Sequence, residues 1–336
     1  MSLKIAYKLR LKRRRLLARA FRKRRQIQRL VWRADRIKQS DILAFSTVRN
    51  EMTRLPYFLS HHRALGVDHF LFVDNGSKDG TREYLSDQPD VSLWGTDHSY
   101  RLSRFGLDWL TLLQIRYGRN HWCLTLDADE IFIYPHHETR SLHALTDWLD
   151  AQGEDSFAAM MLDMYPKGRL SEQAYEPGKN PFEILSWFDG GNYMIRQQTP
   201  LQNLWVQGGV RARVFFKSDP VRSPTLNKVP LVRWNWRYVY QNSTHSVLPR
   251  KLNKVFDPAG GEKASGILLH TKFLPSIVSR SAEEKHRQEH FANSSLYDDY
   301  YDALAHDPNL WCEQSEEFLN WRQLEARGLM SQGAWL

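Results

Sequence analysis

Asp127-Ala128-Asp129-Glu130 follows the apolar run Trp122-Cys123-Leu124-Thr125-Leu126 and precedes Ile131-Phe132-Ile133. Charged groups that close to core strand are costly unless they are paired or hold a cation. Two aspartates one residue apart, where a strand opens into a turn, can face one ion. They supply hard oxygen ligands suited to Mg2+ or Mn2+, ions that keep coordination positions for substrate phosphates. Two further polar clusters share this setting. Arg49-Asn50-Glu51 follows the apolar run 42–48, and residues 74–79 follow the run 69–73. A plain turn explains any one of them equally well, Asn75-Gly76 above all, since that dipeptide suits a positive φ. Three such clusters after separate strands point to one shared rim.

The elements that would build this rim are legible as alternation. Segments 42–48, 69–73, 91–94 and 121–126 read as short buried strands. Segments 54–65 (stopped by Gly66), 81–85 and 104–117 read as helices. Strands alternating with helices predict an α/β fold with a mostly parallel sheet flanked by helices, whose strand C-termini line one edge where ligands bind. Further along, 141–151 reads as a helix, 157–165 as a strand and 166–208 as irregular. Segments 210–216, 229–239 and 266–270 read as strands. Helices are expected to close the chain, one opened by a Ser281/Glu284 capping box and one over 315–327 stopped by Gly328.

The charge is unevenly placed. The 336-residue chain carries a formal net charge of +9, of which residues 1–40 hold +15 and the remainder −6. The basic character therefore belongs to a tail, which argues against a nucleic-acid enzyme. The tail reads as a helix with Leu9, Leu16, Leu17, Ala20, Phe21, Ile27, Leu30 and Val31 on one side. Arg14, Arg15, Arg22, Arg25, Arg29 and Arg33 fall on the other. A basic amphipathic helix suits an anionic membrane surface. The alternatives are a solvated arm or a helix docked on the body. A composition of 42% hydrophobic and 25% charged residues excludes wholesale disorder, and two cysteines exclude a disulfide framework. No apolar run approaches the roughly 18 residues needed to cross a bilayer.

The body resembles a nucleotide-sugar glycosyltransferase of the GT-A (Rossmann-like) fold, family-2-like and similar to the family-92 branch. The matching pieces are Thr47-Val48-Arg49-Asn50-Glu51, Val73-Asp74-Asn75-Gly76-Ser77-Lys78-Asp79-Gly80-Thr81 and Leu126-Asp127-Ala128-Asp129-Glu130. The likeness is strong over 42–135, weaker over 136–275 and absent elsewhere. It implies that Thr47, Val48, Arg49, Asn50 and Glu51 line the base and ribose pocket. Asp74 and Asn75 would meet the nucleotide, Ser77 and Asp79 would shape the turn, and Asp127 would lie near ribose or metal. Asp129 would be the direct ligand of a divalent ion, Mn2+ or Mg2+, bridging the diphosphate of a UDP- or GDP-sugar.

Such enzymes often take a further metal ligand from a late histidine. His270, after a short apolar strand, and His245 match that pattern, although His270 fits a hydrogen-bonded core histidine equally well and His245 could instead position the acceptor. Lys272 and Lys228 stand as diphosphate partners or as merely solvated lysines. An inverting transfer needs a base to deprotonate the acceptor hydroxyl, for which Asp163 and Asp189 are the candidates. The aromatics Trp187, Trp205, Trp234, Trp236 and Tyr238 fit an acceptor site or an ordinary core. Gly208-Gly209 would permit close approach to a ligand or simply turn the chain.

The expected organisation is a basic helical tail over 1–40, a GT-A domain over 41–275 divided at 135 into nucleotide and acceptor halves, and a helical extension over 276–336. The expected activity is glycosyl transfer to a glycan or glycolipid, at the cytoplasmic face of a membrane. A nucleotidyltransferase is the enzymatic alternative, although 47–51 lacks a Gly-rich basic phosphate loop. A fold that binds nucleotide or glycan without turnover is the other.

Overall fold

The computed structural model describes residues 3–256, 263–277 and 298–335. The chain opens with α1 (Leu3–Arg22) and β1 (Gln28–Val31). Strands and helices then alternate: β2 (Leu43–Val48), α2 (Leu55–Leu65), β3 (His69–Asp74), α3 (Thr81–Asp87), β4 (Val91–Gly95), α4 (Leu107–Tyr117) and β5 (Trp122–Thr125). β6 (Glu130–Ile133), α5 (Leu142–Ala151) and β7 (Ser156–Asp163) follow. The second half adds β8 (Trp187–Asp189), β9 (Met194–Gln198), β10 (Asn203–Gln207), α6 (Gly209–Val214) and β11 (Asn227–Arg233). It continues through β12 (Val239–Tyr240), β13 (Val247–Leu248) and β14 (Ser265–His270). A helix over Asp298–Ala305, β15 (Ser315–Glu317) and a helix over Trp321–Ala326 complete the described chain.

Nine strands form one sheet in the order β1-β4-β3-β2-β5-β11-β7-β14-β6. β4, β3, β2, β5, β7 and β14 run one way, and β1, β11 and β6 run the other. This is the mostly parallel, Rossmann-like α/β sheet that the alternation predicts. Period-two side-chain alternation divides the core between its faces. Leu43, Phe45, Leu71 and Val73 pack on Leu107, Trp109, Leu110 and Leu113 of α4. Ala44, Phe70 and Phe72 pack on Leu55, Phe58 and Leu59 of α2. Covered on both faces, the strands read as unbroken apolar runs. Gly106 lets the start of α4 close on the end of β2: its φ is +76°, and a Cβ there would sit 2.5 Å from Thr47 Oγ1.

The tail differs from its expected form. The helix stops at Arg22, and residues 28–31 pair antiparallel with β4, covering what would otherwise be an open sheet edge. The stripe Leu9, Leu16, Leu17 and Ala20 faces the body rather than solvent, because α1 docks on α4. Arg19 Nε reaches Asp108 Oδ2 at 2.7 Å, and Arg104 reaches Oδ1 of the same carboxylate at 2.7 Å. Segment 210–216 is a helix rather than a strand. Segment 166–208, expected to be irregular, contains β8 and the β9–β10 hairpin. Residues 315–317 form a strand beside β8, and only Trp321–Ala326 of the expected 315–327 helix is helical. The Ser281/Glu284 capping box lies outside the described residues. Among the described residues no helix is long and apolar enough to cross a membrane.

Candidate functional site

The sheet register brings three strand ends together. His270, the last residue of β14, lies opposite Asp163 on β7 and Glu130 on β6. His270 Nδ1 is 2.6 Å from Asp163 Oδ1, and its Nε2 is 3.1 Å from Asp129 Oδ2. Arg211, from α6, donates through Nε to Asp163 Oδ2 at 2.7 Å. Thr271 fastens the acidic turn to the end of β14, donating its N to the Asp129 carbonyl at 2.8 Å and its Oγ1 to the same oxygen at 3.1 Å. Asp163 and His270 are 4% and 5% exposed, whereas the Asp129 side chain keeps 24% of its surface.

Burial alone would keep the His270 imidazole neutral, but Asp129 and Asp163 outweigh it and raise its pKa. Burial likewise opposes ionisation of Asp129, and His270, Lys272 and Arg54 overcome it, holding the carboxyl well below its usual range. Asp163 is held low against its burial by Arg211 and His270. Lys272 sits among Asp129, Arg211, Arg54 and Asp163. Burial pushes its pKa down, Asp129 opposes that, and Arg211 adds to it. Arg54 Nη2 also reaches the Thr271 carbonyl at 3.4 Å. Arg54 and Lys272 thus flank the open-sided carboxylate of Asp129, with Arg54 also paired to Glu51 Oε2 at 2.9 Å and Arg211 spent on Asp163.

A second knot lies beside it. Buried Lys228 places Nζ 2.7 Å from Glu130 Oε1 and 3.3 Å from Asp127 Oδ2. Burial would lower this lysine's pKa, and Glu130 and Asp127 raise it instead. Glu130 Oε2 accepts the Asp127 N–H at 3.1 Å, which fixes the turn. The Asp127 side chain remains 52% exposed.

The two upstream turns are stitched to each other. The N–H groups of Asn50, Glu51 and Met52 donate to Ser77 Oγ, Thr81 Oγ1 and Asp79 Oδ2 at 2.9, 2.9 and 3.0 Å. Lys78 N–H returns to Asn50 Oδ1 at 2.8 Å, and Arg49 Nη1 donates to the Asn75 carbonyl at 2.9 Å. Asn75 Nδ2 bonds the Thr96 and His98 carbonyls. Asp74 is fully buried, and its carboxylate accepts from Arg82 at 2.7 Å and from Ser77 N–H at 3.2 Å. β3 and β5 flank β2, so all three turns share one rim. Asp74, however, is committed to its own turn, while Asp127 and Asp129 keep exposed surface. Thr47 and Val48 end β2 at the same rim.

Other expected residues fall elsewhere. Asp189 has both oxygens on Arg213 at 2.9 Å, accepts also from Tyr165 Oη, and is buried beneath β15. Neither Asp163 nor Asp189 therefore offers an open oxygen to an acceptor hydroxyl. His245 donates Nδ1–H to the Asn227 carbonyl at 2.7 Å, and burial, aided by Lys228, pushes its pKa down to about 3. Trp234 is core, whereas Trp236 is exposed. The close approach permitted by Gly208 is to the backbone of Asn192 and Tyr193. Sequence reading missed Arg54 and Arg211 at the rim. No local signal marks Arg211, because its role depends on α6 folding as a helix.

No family model and no curated protein matches the chain. Partial similarity exists among solved structures. One is a Bacillus anthracis protein named as a glucose-1-phosphate thymidylyltransferase and solved with a sucrose. It shows 8% identity and a TM-score of 0.26, over 42% of this chain and 65% of that one. Another is 4-diphosphocytidyl-2C-methyl-D-erythritol synthase, at 17% identity and a TM-score of 0.26, over 39% of this chain and 65% of that one. The chain thus spans just under two thirds of either protein.

Among the described residues no three His, Cys, Asp or Glu side chains converge as a ready-made metal centre. Asp129 and His270 Nε2 do form a pair. The two groups are held together as an ion pair, 3.1 Å apart. Asp163 on Nδ1 supplies the carboxylate–histidine support common behind metal-bound imidazoles. The carboxylate is a donor that suits Mn2+ or Mg2+, the imidazole is the less usual one, and such a pair would leave the remaining positions to phosphate and water.

Proposed function

We propose that the protein is a metal-dependent glycosyltransferase of the GT-A type, moving a sugar from a UDP- or GDP-sugar to a hydroxyl of a glycan or glycolipid. The observation that carries the reading is the half-open carboxylate of Asp129, touching His270 and flanked by Arg54 and Lys272 at the strand C-termini. A nucleoside diphosphate would bring negative charge to those cations, and the stitched turns 47–51 and 74–79 would bound its nucleoside. Asp129 and His270 Nε2 would hold the divalent ion, with Asp127 beside them. When bound, the ion would neutralise charge building on the leaving diphosphate. In this reading Asp163 is a positioning residue: its bond to Nδ1 turns Nε2 toward Asp129. Arg211 keeps Asp163 ionised for that task.

The test is Mn2+-dependent hydrolysis over a panel of UDP- and GDP-sugars, with Asp129→Asn alongside. Turnover lost in the variant supports the reading. Sugar-1-phosphate release from a nucleotide sugar and pyrophosphate would identify a nucleotidyltransferase. Tight nucleotide binding with no turnover of any donor would identify a non-catalytic binder.

An anionic membrane surface is the partner proposed for the outward face of α1, as a peripheral attachment on the cytoplasmic side. Of the apolar stripe read from the sequence, Leu9, Leu16, Leu17 and Ala20 are spent on the body, whereas Phe21 stays exposed. The opposite face exposes Leu3, Tyr7, Leu11 and Phe21 among Lys4, Lys8, Lys12, Arg14, Arg15 and Arg22, a mixture suited to acidic headgroups.

A further inference from the structure

A cavity of about 510 Å3 lies on the α2 face of the sheet, between α2, the edge strand β6 and residues 318–320. Its size is ordinary for a small-molecule site. Leu269 and Ile133 contribute to its apolar floor. It begins at Tyr57, one helical turn beyond the rim residue Arg54, and so adjoins the candidate site without sharing its charged groups.

The lining has a consistent chemistry. Tyr57, Phe182 and Phe318 form an angled aromatic wall, with neighbouring ring centroids 6.2 and 6.3 Å apart. Paired to backbone carbonyls, two imidazoles keep one acceptor nitrogen each. His61 gives Nε2–H to Phe132 O at 2.8 Å, and His137 gives Nδ1–H to Tyr134 O at 2.9 Å. Burial pushes His61 down to about 4 and lowers His137 as well, so both are neutral at pH 7. Glu138 and Glu183 add exposed carboxylate acceptors. Asn180 and Asn320 spend their side-chain oxygens capping Phe182 and Arg322 N–H groups, which leaves their Nδ2 hydrogens as donors. None of the lining residues is lysine or arginine.

We propose that this cavity holds neutral sugar units of the acceptor glycan, an assignment that rests on the transfer reading above. A pyranose offers apolar C–H faces to aromatic rings and hydroxyl donors around its edge. The lining residues offer such donors the second nitrogens of His61 and His137 and the carboxylates of Glu138 and Glu183. Phosphates and uronic acids would meet unpaired carboxylates and no cation, so the cavity is not an extension of the diphosphate site.

Saturation-transfer NMR on the full chain tests this, with neutral gluco-, galacto- and manno-configured tetrasaccharides as probes and tetragalacturonate as the anionic control. At least one neutral probe is expected to bind and the galacturonate is not. Phe182→Ala should weaken that binding about tenfold and Glu183→Gln severalfold. Donor hydrolysis without acceptor should be unchanged in both variants, which also certifies their folding. Absence of binding by every neutral probe, or equal binding in wild type and both variants, overturns the proposal. Glycan binding retained in a protein that hydrolyses no donor removes the transfer reading, and the acceptor role with it. Hydrolysis intact without glycan binding removes the cavity assignment alone.

Discussion

Two buried aspartates, Asp163 and Asp189, are alike in composition and opposite in consequence. Each ends a strand, and each pairs with an arginine of α6. Around Asp189 every valence is closed inward. Arg213 takes both oxygens, Tyr165 donates to one, and Arg213 also grips the Leu310 carbonyl at 2.7 Å. The cluster fastens the C-terminal segment to the body. Around Asp163 the chain of contacts runs outward, through His270 to Asp129, and ends on a carboxylate with exposed surface. Burial and ion pairing are therefore no mark of a reactive site by themselves. What separates the two clusters is an unspent oxygen at the end of one of them.

The comparison breaks most visibly at its closed end. Asp189→Ala leaves the half-buried Arg213 with only the Leu310 carbonyl and Tyr165 as partners, which should cost about 1–3 kcal/mol of stability, read as a fall in the urea midpoint. Turnover per folded molecule should stay within about twofold. A large loss of turnover at full stability would mean that the inward cluster is also reactive, and the distinction would vanish. At the open end the pattern inverts. Asp129→Asn should lower Mn2+-dependent donor hydrolysis by about 10²–10³, while the urea midpoint moves little because this side chain is part-exposed. Hydrolysis unaffected by the change would remove Asp129 from the chemistry.

A smaller effect is expected one contact inward. Asp163→Asn keeps the shape but weakens the hold on Nδ1, and it also costs stability by removing the counter-charge of buried Arg211. Loss of such support behind a metal-bound imidazole typically costs 10–100-fold in metal affinity or activity. The expected signature is a raised Mn2+ requirement with recovery at high Mn2+. A plain structural role would lower stability without moving the Mn2+ dependence.

His270 also contrasts with His61 and His62. His270 and His62 are buried and His61 is partly so, but the latter pair faces backbone carbonyls rather than carboxylates. Burial pushes His61 down to about 4 and His62 well below its ordinary value. The unfolded chain binds protons on these groups below about pH 6.5, whereas the fold does not take one on His61 until about pH 4. Their contribution to stability is thus present above pH 6.5 and lost as pH falls toward 4. His61→Gln should flatten that loss by about 1–2 kcal/mol after allowing for partial exposure. Melting temperatures across pH 4 to 7 provide the measurement, and an unchanged slope would contradict the assignment.

The first half of the chain was legible because its local patterns and its tertiary role agree. β2, β3, β4 and β5 are short apolar runs closed by polar turns, and in a sheet covered on both faces such runs have no other use. The rim acids were legible for the same reason, since Asp127 and Asp129 stand where a strand must stop. The second half hid its site because the pattern there served a different purpose. Val210-Arg211-Ala212-Arg213-Val214 alternates with the period of a strand, yet it folds as a six-residue helix. Arg211 and Arg213, about 200° apart around that helix, reach the two aspartates on different sides. The alternation recorded two counter-ions rather than two sheet faces, and nothing nearby in sequence names either of them. The tail divides differently: Leu9, Leu16, Leu17 and Ala20 dock on the body, the alternative that the sequence left open, whereas Phe21 is exposed and residues 28–31 form a strand.

That last point carries the inward-versus-outward contrast to the surface of α1. Its inner face is closed like Asp189, with Arg19 and Arg104 sharing the buried carboxylate of Asp108. Its outer face leaves Lys4, Lys8 and Lys12 exposed along one helix. Removing residues 1–40 would be a poor probe, because it also strips β1 from the sheet edge. Lys8→Ala is cleaner: a juxtamembrane lysine contributes about 1 kcal/mol to binding anionic lipid, so affinity for phosphatidylserine vesicles should drop about fivefold. Neutral vesicles should show no difference, and raised salt should shrink the gap, since exposed charges are screened within a Debye length of about 10 Å at 0.1 M salt. Co-sedimentation that is identical for both proteins at low salt would mean that the outer face, like the inner one, has no lipid to meet.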